Sequence, residues 1–228
     1  MITRESLPQF DITIYQPEIG YRYNEDSLFL VDFVSKIKSD ALVADLGAGC
    51  GILSLILAKK FPHVKITAVE IEKEPYELLA KNIKENHLEE QITALCSDWN
   101  DLRKNHSKFD VIVTNPPFRE PHTGRISCYD TKAAAKHELK NGLEALLETV
   151  RLTLKEKGAF YTVFLSERLV DLIYLMRQKR IEPKEILPIY PKRDSYSSVF
   201  LVKGIKGGGK AVKILPPLFR RFNNTITY

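Results

Sequence analysis

The chain has 228 residues, 44% of them hydrophobic and 28% charged, with a net charge of +5. This length holds one sizeable core with room for a small appendage, and the balance excludes a disordered polymer. No apolar run approaches the roughly 18 residues of a membrane span, and the opening MITRESLPQFDITIYQP lacks the apolar core of a secretory signal.

The predicted elements begin with an extended N-terminal segment. NEDSLFLVDFVSKI (Asn24–Ile37) then carries apolar residues at helical spacing behind a polar cap, Asp26 or Ser27. ALVADLGAGCG reads as a buried strand and a glycine turn, GILSLILAKKF as a helix. KITAVEI is a second strand, followed by a helix through EPYELLAKNIKENHL. QITALCSD and FDVIVTNPPF are the third and fourth strands. A long polar connection, Arg119–Lys140, overlaps the start of a helix within Lys132–Lys155. KGAFYTVFL is a fifth strand, with a helix near Glu167–Lys179. KEILPIYP and SSVFLVKGIK are two final strands, and a glycine triplet, read as the turn of a hairpin, precedes a basic tail.

Strands alternating with helices predict an α/β fold: parallel βαβ units with helices on both faces of the sheet. Ligands of such sheets bind at the carboxyl ends of strands, and every unusual motif falls there. Cys50, Cys96 and Cys128 are odd in number and lack metal-type spacing, which argues against disulfides and zinc and for a reducing, cytoplasmic setting. Charge is unevenly spread. Only four of the 29 acidic residues follow Glu167, against 13 of the 34 basic ones. That split fits a docking face for a polyanion, RNA or DNA first, and equally an ordinary surface of solvated lysines.

DLGAGCG sets Gly47, Gly49 and Gly51 between the first strand and its helix, where glycine lets a ligand approach the backbone. The G-x-G-x-G spacing differs from the dinucleotide fingerprint. Asp45, just ahead, can anchor the turn or an ammonium group. Glu70 ends the second strand, where a carboxylate accepts from ribose hydroxyls; otherwise it is a surface glutamate. Asp98 follows the third strand and can accept from an adenine amino group, with Trp99 and Ile71 covering the ring faces; alternatively it caps a helix. Together these describe a nucleoside lying across three adjacent strand ends.

DLGAGCG, the acid of AVEI, SDW and NPPF resemble the successive motifs of class I S-adenosylmethionine-dependent methyltransferases. The resemblance implies a Rossmann-like seven-stranded sheet, mostly parallel with its last strand antiparallel. It also implies S-adenosylmethionine as cofactor, with methionine over the glycine turn, ribose on Glu70 and adenine near Asp98. N-P-P-[FY] after the fourth strand is similar to the signature of enzymes that methylate planar nitrogens. There the Asn115 side-chain oxygen and the Pro116 carbonyl accept the two N–H bonds of the target, and Phe118 stacks on its plane. Pro117 disfavours the α conformation at Pro116, as Pro116 does at Asn115, so the loop is preset.

QPEIGYRYNEDSLFLVDF, AAKHE and the VKGIKGGG…ILPPL tail resemble one group within that class, the tRNA1(Val) adenine-37 N6-methyltransferases. This implies an N-terminal extension and helix over residues 1–37 that closes on the cofactor, with Tyr23 and Asp26 as contacts, ahead of a methyltransferase domain over 38–228. A tRNA substrate follows. Arg119 and Arg125 lie in the connection, long enough for a mobile lid, while Lys192, Arg193, Lys206, Lys210, Arg220 and Arg221 are candidates to grip phosphates. A release-factor glutamine methyltransferase, a ribosomal guanine-N2 methyltransferase and a non-catalytic RNA adaptor are the competing readings.

Overall fold

The computed structural model describes residues 1–20, 22–104, 106, 108–116 and 130–220, with 130–141 as backbone alone. The seven expected strands all form: β3 (Leu42–Leu46), β4 (Lys65–Glu70), β5 (Ile92–Cys96), β6 (Phe109–Thr114), β7 (Leu154–Leu165), β8 (Ile181–Tyr190) and β9 (Val199–Lys206). They lie side by side in the order β8-β9-β7-β6-β3-β4-β5, and β9 alone runs antiparallel to its neighbours. Two short strands, β10 (Lys213–Ile214) and β11 (Leu218–Phe219), extend this sheet by pairing with β8. The count is therefore slightly higher than the sequence predicts.

Helices α1 (Glu25–Phe33), α2 (Ile52–Lys60) and α3 (Lys73–Glu85) cover one face of the sheet. The other is covered by α4 (Asp130–Thr153) and α5 (Leu169–Gln178). Side chains fully shielded on both faces explain why β3 and β6 read as continuous apolar runs rather than alternating ones. Among the described residues no helix is long and apolar enough to cross a membrane.

Three sequence expectations need correction. The N-terminal segment is a hairpin of its own, β1 (Ile2–Leu7) paired with β2 (Ile12–Pro17). The cap of α1 is Asn24, whose side chain accepts from the Asp26 N–H at 3.1 Å, so Asp26 and Ser27 sit inside the first turn. The glycine triplet turns no hairpin: β10 pairs with β8 and not with β9, so Gly207–Gly209 carry the chain across the start of β8 to its far side.

What holds the hairpin is a pair of buried asparagines one turn apart on α3. Asn86 Oδ1 accepts from the Thr13 N–H at 2.8 Å while its amide donates to the Thr13 carbonyl at 2.7 Å. Asn82 does the same to Tyr15, at 2.7 and 2.8 Å, and also donates to the Cys50 carbonyl at 2.8 Å. Two side-chain amides thus satisfy the β2 backbone groups that the ladder with β1 leaves open, as a buried backbone requires. The alternation of residues 13 and 15 along the strand matches the i, i+4 spacing on the helix.

At the start of α2, Gly51 has φ +94, and a Cβ there would sit 2.5 Å from Leu79 Cδ1 in the core. Gly51→Ala is expected to cost about 2–4 kcal/mol, from left-handed strain plus overpacking. Urea unfolding will show it as a lower midpoint at unchanged slope.

Candidate active site

The carboxyl ends of β3, β4, β5 and β6 meet at one edge of the sheet. After β3 the chain turns through Gly47, Gly49 and Gly51, all at positive φ. The N–H groups of Gly47 and Ala48 both donate to the Val69 carbonyl at 2.9 Å, pinning the turn to the end of β4. Trp99 packs over Gly47 so closely that a Cβ would lie 3.3 Å from its ring, which accounts for the glycine.

Glu70 is buried at the end of β4 with both oxygens engaged. Oε2 accepts from the Gly49 N–H at 2.8 Å and Oε1 from the Glu72 N–H at 2.9 Å. Each oxygen retains a lone pair, so the carboxylate is held in one orientation with acceptor capacity left for two hydroxyls. Beside it Ile71 is 62% exposed, a large apolar side chain offered to solvent at the mouth of the site. Asp98 caps the 3-10 turn Trp99–Lys104, its Oδ1 accepting from the Asn100 N–H at 2.8 Å, and among the described residues its other oxygen has no partner. The glycine cradle, the fixed carboxylate and the exposed apolar cover suit a nucleoside cofactor.

Asp45 lies deeper than the sequence suggests. It is wholly buried, accepts from Ser54 Oγ at 2.7 Å, and among the described residues its Oδ1 has no partner. Burial, with the Glu70 charge adding to it, pushes its carboxyl up to about 7. Below the ordinary value of 3.8 both folded and unfolded chains are protonated there, and the penalty is absent. Between 3.8 and about 7 the unfolded chain gives up its proton first. Stability therefore declines with rising pH, by up to about 1.4 kcal/mol per pH unit. Asp45→Asn is expected to remove this slope, measured as urea midpoints across that range.

β6 ends beside the glycine turn. Thr114 Oγ1 donates to the Leu46 carbonyl at 2.7 Å, tying the two strand ends together. The next residue, Asn115, is buried, and its amide nitrogen donates to Ser27 Oγ at 2.9 Å. Among the described residues nothing donates to Asn115 Oδ1 or to the Pro116 carbonyl. Two adjacent acceptors are thus unspent at the rim. Asn115, Gly47, Ala48, Cys50, Ile52, Leu53, Ser27 and Tyr23 line one cleft of about 330 Å³, its open mouth included. Burial pushes the Cys50 thiol up to about 11, so it stays protonated and is no nucleophile.

The N-terminal segment walls this cleft. Tyr23 donates its hydroxyl to Glu5 Oε2 at 3.1 Å, and Arg22 bridges Glu5, Thr3 and the Pro17 carbonyl, locking the segment to the hairpin. Burial and the Glu5 carboxylate push the Tyr23 phenol up to about 12. Asp26, expected to touch a cofactor, instead pairs with Arg220, which also binds Glu25 at 3.2 Å. Ser27 is the residue the sequence reading missed: it stands 88 positions from Asn115 and no local pattern links the two.

Of the candidate phosphate-gripping residues, Lys192, Arg193 and Lys210 are exposed. Two are committed elsewhere: Arg220 to α1, and Lys206 to the Arg151 and Leu154 carbonyls at 2.6 and 2.7 Å, where α4 ends. Pro117, Phe118, Arg119, Arg125 and Arg221 lie outside the described residues, as does the first half of the connection read as a lid, and the second half is the start of α4. Among the described residues no three His, Cys, Asp or Glu side chains gather to hold a metal.

Comparison with known proteins agrees with this geometry. A Dyadobacter fermentans tRNA1(Val) (adenine(37)-N6)-methyltransferase is 30% identical over 67% of this chain and 62% of its own length. A Vibrio cholerae protein of the same name is 29% identical over 80% of this chain and 74% of its own. A crystal structure described as a predicted O-methyltransferase from Agrobacterium tumefaciens superposes with a TM-score of 0.67 at 19% identity, covering 85% of this chain and 86% of that one. That likeness establishes the class I methyltransferase fold. The family model described as the methyltransferase small domain matches residues 22–168, from the wall of the cleft through the acceptor rim to the end of β7, and the chain belongs to that family.

Proposed function

We propose that this protein is an S-adenosylmethionine-dependent N-methyltransferase that modifies the exocyclic N6 amine of an adenine in tRNA, adenine 37 beside the anticodon of tRNA1(Val). The observation that carries this is the pair of unspent acceptors, Asn115 Oδ1 and the Pro116 carbonyl, at the rim of a cleft shared with the glycine turn. An exocyclic amine has its lone pair delocalised into the ring and is a poor nucleophile. Two acceptors that take its two N–H bonds turn that lone pair out of conjugation. They also gain strength as positive charge develops on nitrogen, which favours the transition state over the ground state. No strong base is needed, because the nitrogen becomes acidic only as the new bond forms.

Bound S-adenosylmethionine supplies an electrophilic methyl group on a sulfonium centre. In this reading Glu70 takes the ribose hydroxyls, Asp98 the adenine amine, and Ile71 and Trp99 the ring faces. The N-terminal hairpin and α1, residues 1–37, close over the cofactor through Tyr23. Asp26 then serves by holding Arg220 rather than by touching the ligand. Pro117 and Phe118 complete the acceptor rim. The cytoplasm is the compartment a tRNA substrate assigns.

The test is incubation with methyl-labelled cofactor and, in parallel reactions, unmodified total tRNA, ribosomal RNA or release factor, the RNA being then digested to nucleosides. N6-methyladenosine in tRNA1(Val) is the expected product. Label in N2-methylguanosine would assign a ribosomal-type activity, label in release factor a glutamine methyltransferase, and no label in any substrate an adaptor.

A further inference from the structure

The loop between β8 and β9, residues 191–198, lies on the same edge of the sheet as the cleft. β8 runs parallel to β7 and β6, because both β7 and β8 are antiparallel to the intervening β9. The loop is well braced. Ser195 Oγ donates to the Lys192 carbonyl at 2.6 Å and accepts from its N–H at 3.2 Å, and Ser197 Oγ reaches the Ile189 carbonyl at 3.0 Å. On this frame Tyr196 is 95% exposed, with Lys192 and Arg193 exposed beside it and Asp194 the only acid in the loop. Ser195 and Ser197, on either side of Tyr196, brace the loop backbone, so the exposed ring is presented from a fixed position.

Contacts run from this loop to the acceptor rim without a break. Arg193 lies over the Phe219 ring at 6.0 Å, and Phe219, itself 41% exposed, packs on Tyr190 at 5.8 Å. The next residue, Arg220, is paired to Asp26, and Ser27, after it, holds Asn115. In the plane of the sheet β8 stands three strands from β6, about 14 Å at ~4.8 Å each. That separation is too large for the base being methylated and right for a neighbour along the same strand of nucleic acid.

We infer that Tyr196, with Lys192, Arg193 and Phe219 around it, is a stacking platform for an unpaired nucleotide flanking the target base. This rests on the tRNA reading above and deepens it. Every base has a π face, and an exposed ring bordered by cations grips single-stranded nucleic acid without reading its sequence. Lys192 and Arg193, exposed and in no salt bridge among the described residues, favour RNA over a protein partner as the occupant.

Binding of a fluorescent anticodon stem-loop, read by anisotropy across a salt series, tests the platform. Tyr196→Ala is expected to weaken binding about tenfold or more, the range of one lost base–aromatic stack. Tyr196→Phe and Tyr196→Trp are expected to stay within about threefold of wild type, since the face is kept. The Lys192→Ala, Arg193→Ala pair is expected to lower the logarithmic salt slope by about 1–2, which Tyr196→Ala leaves alone. Cofactor affinity and melting temperature are expected to match wild type in every variant. Wild-type affinity in Tyr196→Ala would overturn the platform while leaving the methyltransferase assignment untouched. A loss in Tyr196→Phe equal to that in Tyr196→Ala would replace stacking by a hydroxyl contact and overturn it too. Intact RNA affinity with a changed sedimentation coefficient would give the surface to a second copy of the chain, and a wild-type protein that methylates and binds no RNA would overturn both readings.

Discussion

Asn115→Ala is expected to lower turnover by about 100- to 1,000-fold, the effect of removing one acceptor or donor that acts on developing charge, while cofactor affinity stays within about threefold. The side chain sits at the end of β6 with its nitrogen on Ser27 Oγ and its oxygen unspent. Nothing in that arrangement touches Glu70 or the backbone of the glycine turn, so the two affinities are separable. Ser27→Ala tests the positioning half of the argument: the acceptor remains but its orientation is freed, and an intermediate loss of about tenfold is expected. Single-turnover methylation under saturating RNA gives the rate, and calorimetry gives the affinity. A variant that no longer binds cofactor would show Asn115 to be holding the fold of the site rather than the substrate.

Glu70→Ala is expected to act on the other quantity, weakening cofactor binding about 100-fold through two lost charge-assisted hydrogen bonds. It also releases the Gly49 and Glu72 N–H groups, so the turn itself loosens. Glu70→Gln keeps the shape and one acceptor per hydroxyl pair and is expected to fall between the two. Turnover at saturating cofactor recovers most of its value, because Glu70 stands away from the acceptor rim. Titration of the protein with S-adenosylhomocysteine measures the effect, and an unchanged affinity in Glu70→Ala would remove the ribose role from this carboxylate.

The sheet was legible in the sequence wherever one rule decided the matter. β3 to β9 are apolar runs bounded by turns or followed by amphipathic helices, and local pattern specifies them. The glycine turn and the place of Asn115 and Pro116 at the end of β6 were legible for the same reason: they are written in consecutive residues. What was hidden depends on distant partners. The hairpin of β1 and β2 is docked by Asn82 and Asn86, whose buried amides look like ordinary polar positions until the strand they bind is in place. Asp45 shows no outward sign of lying wholly inside, because its partner Ser54 is nine residues on in the apolar first turns of a helix. Arg220 and Lys206 read as solvent-facing cations, and only their long-range partners, the start of α1 and the end of α4, reveal that they are structural. Formal charge along a chain therefore overstates the basic surface that RNA can meet.

The hydroxyl of Thr114 bound to the Leu46 carbonyl has a mechanical meaning. It ties the glycine turn after β3 to Asn115 after β6, so the two lie at the ends of neighbouring strands, one rung of the ladder apart, about 4.8 Å. The spacing of the two backbone segments is thus set by the pitch of the sheet, while the aim of the Asn115 side chain is set by Ser27 in α1. Warming is expected to leave that spacing intact until the sheet itself comes apart, and to loosen the aim earlier if α1 gives way first.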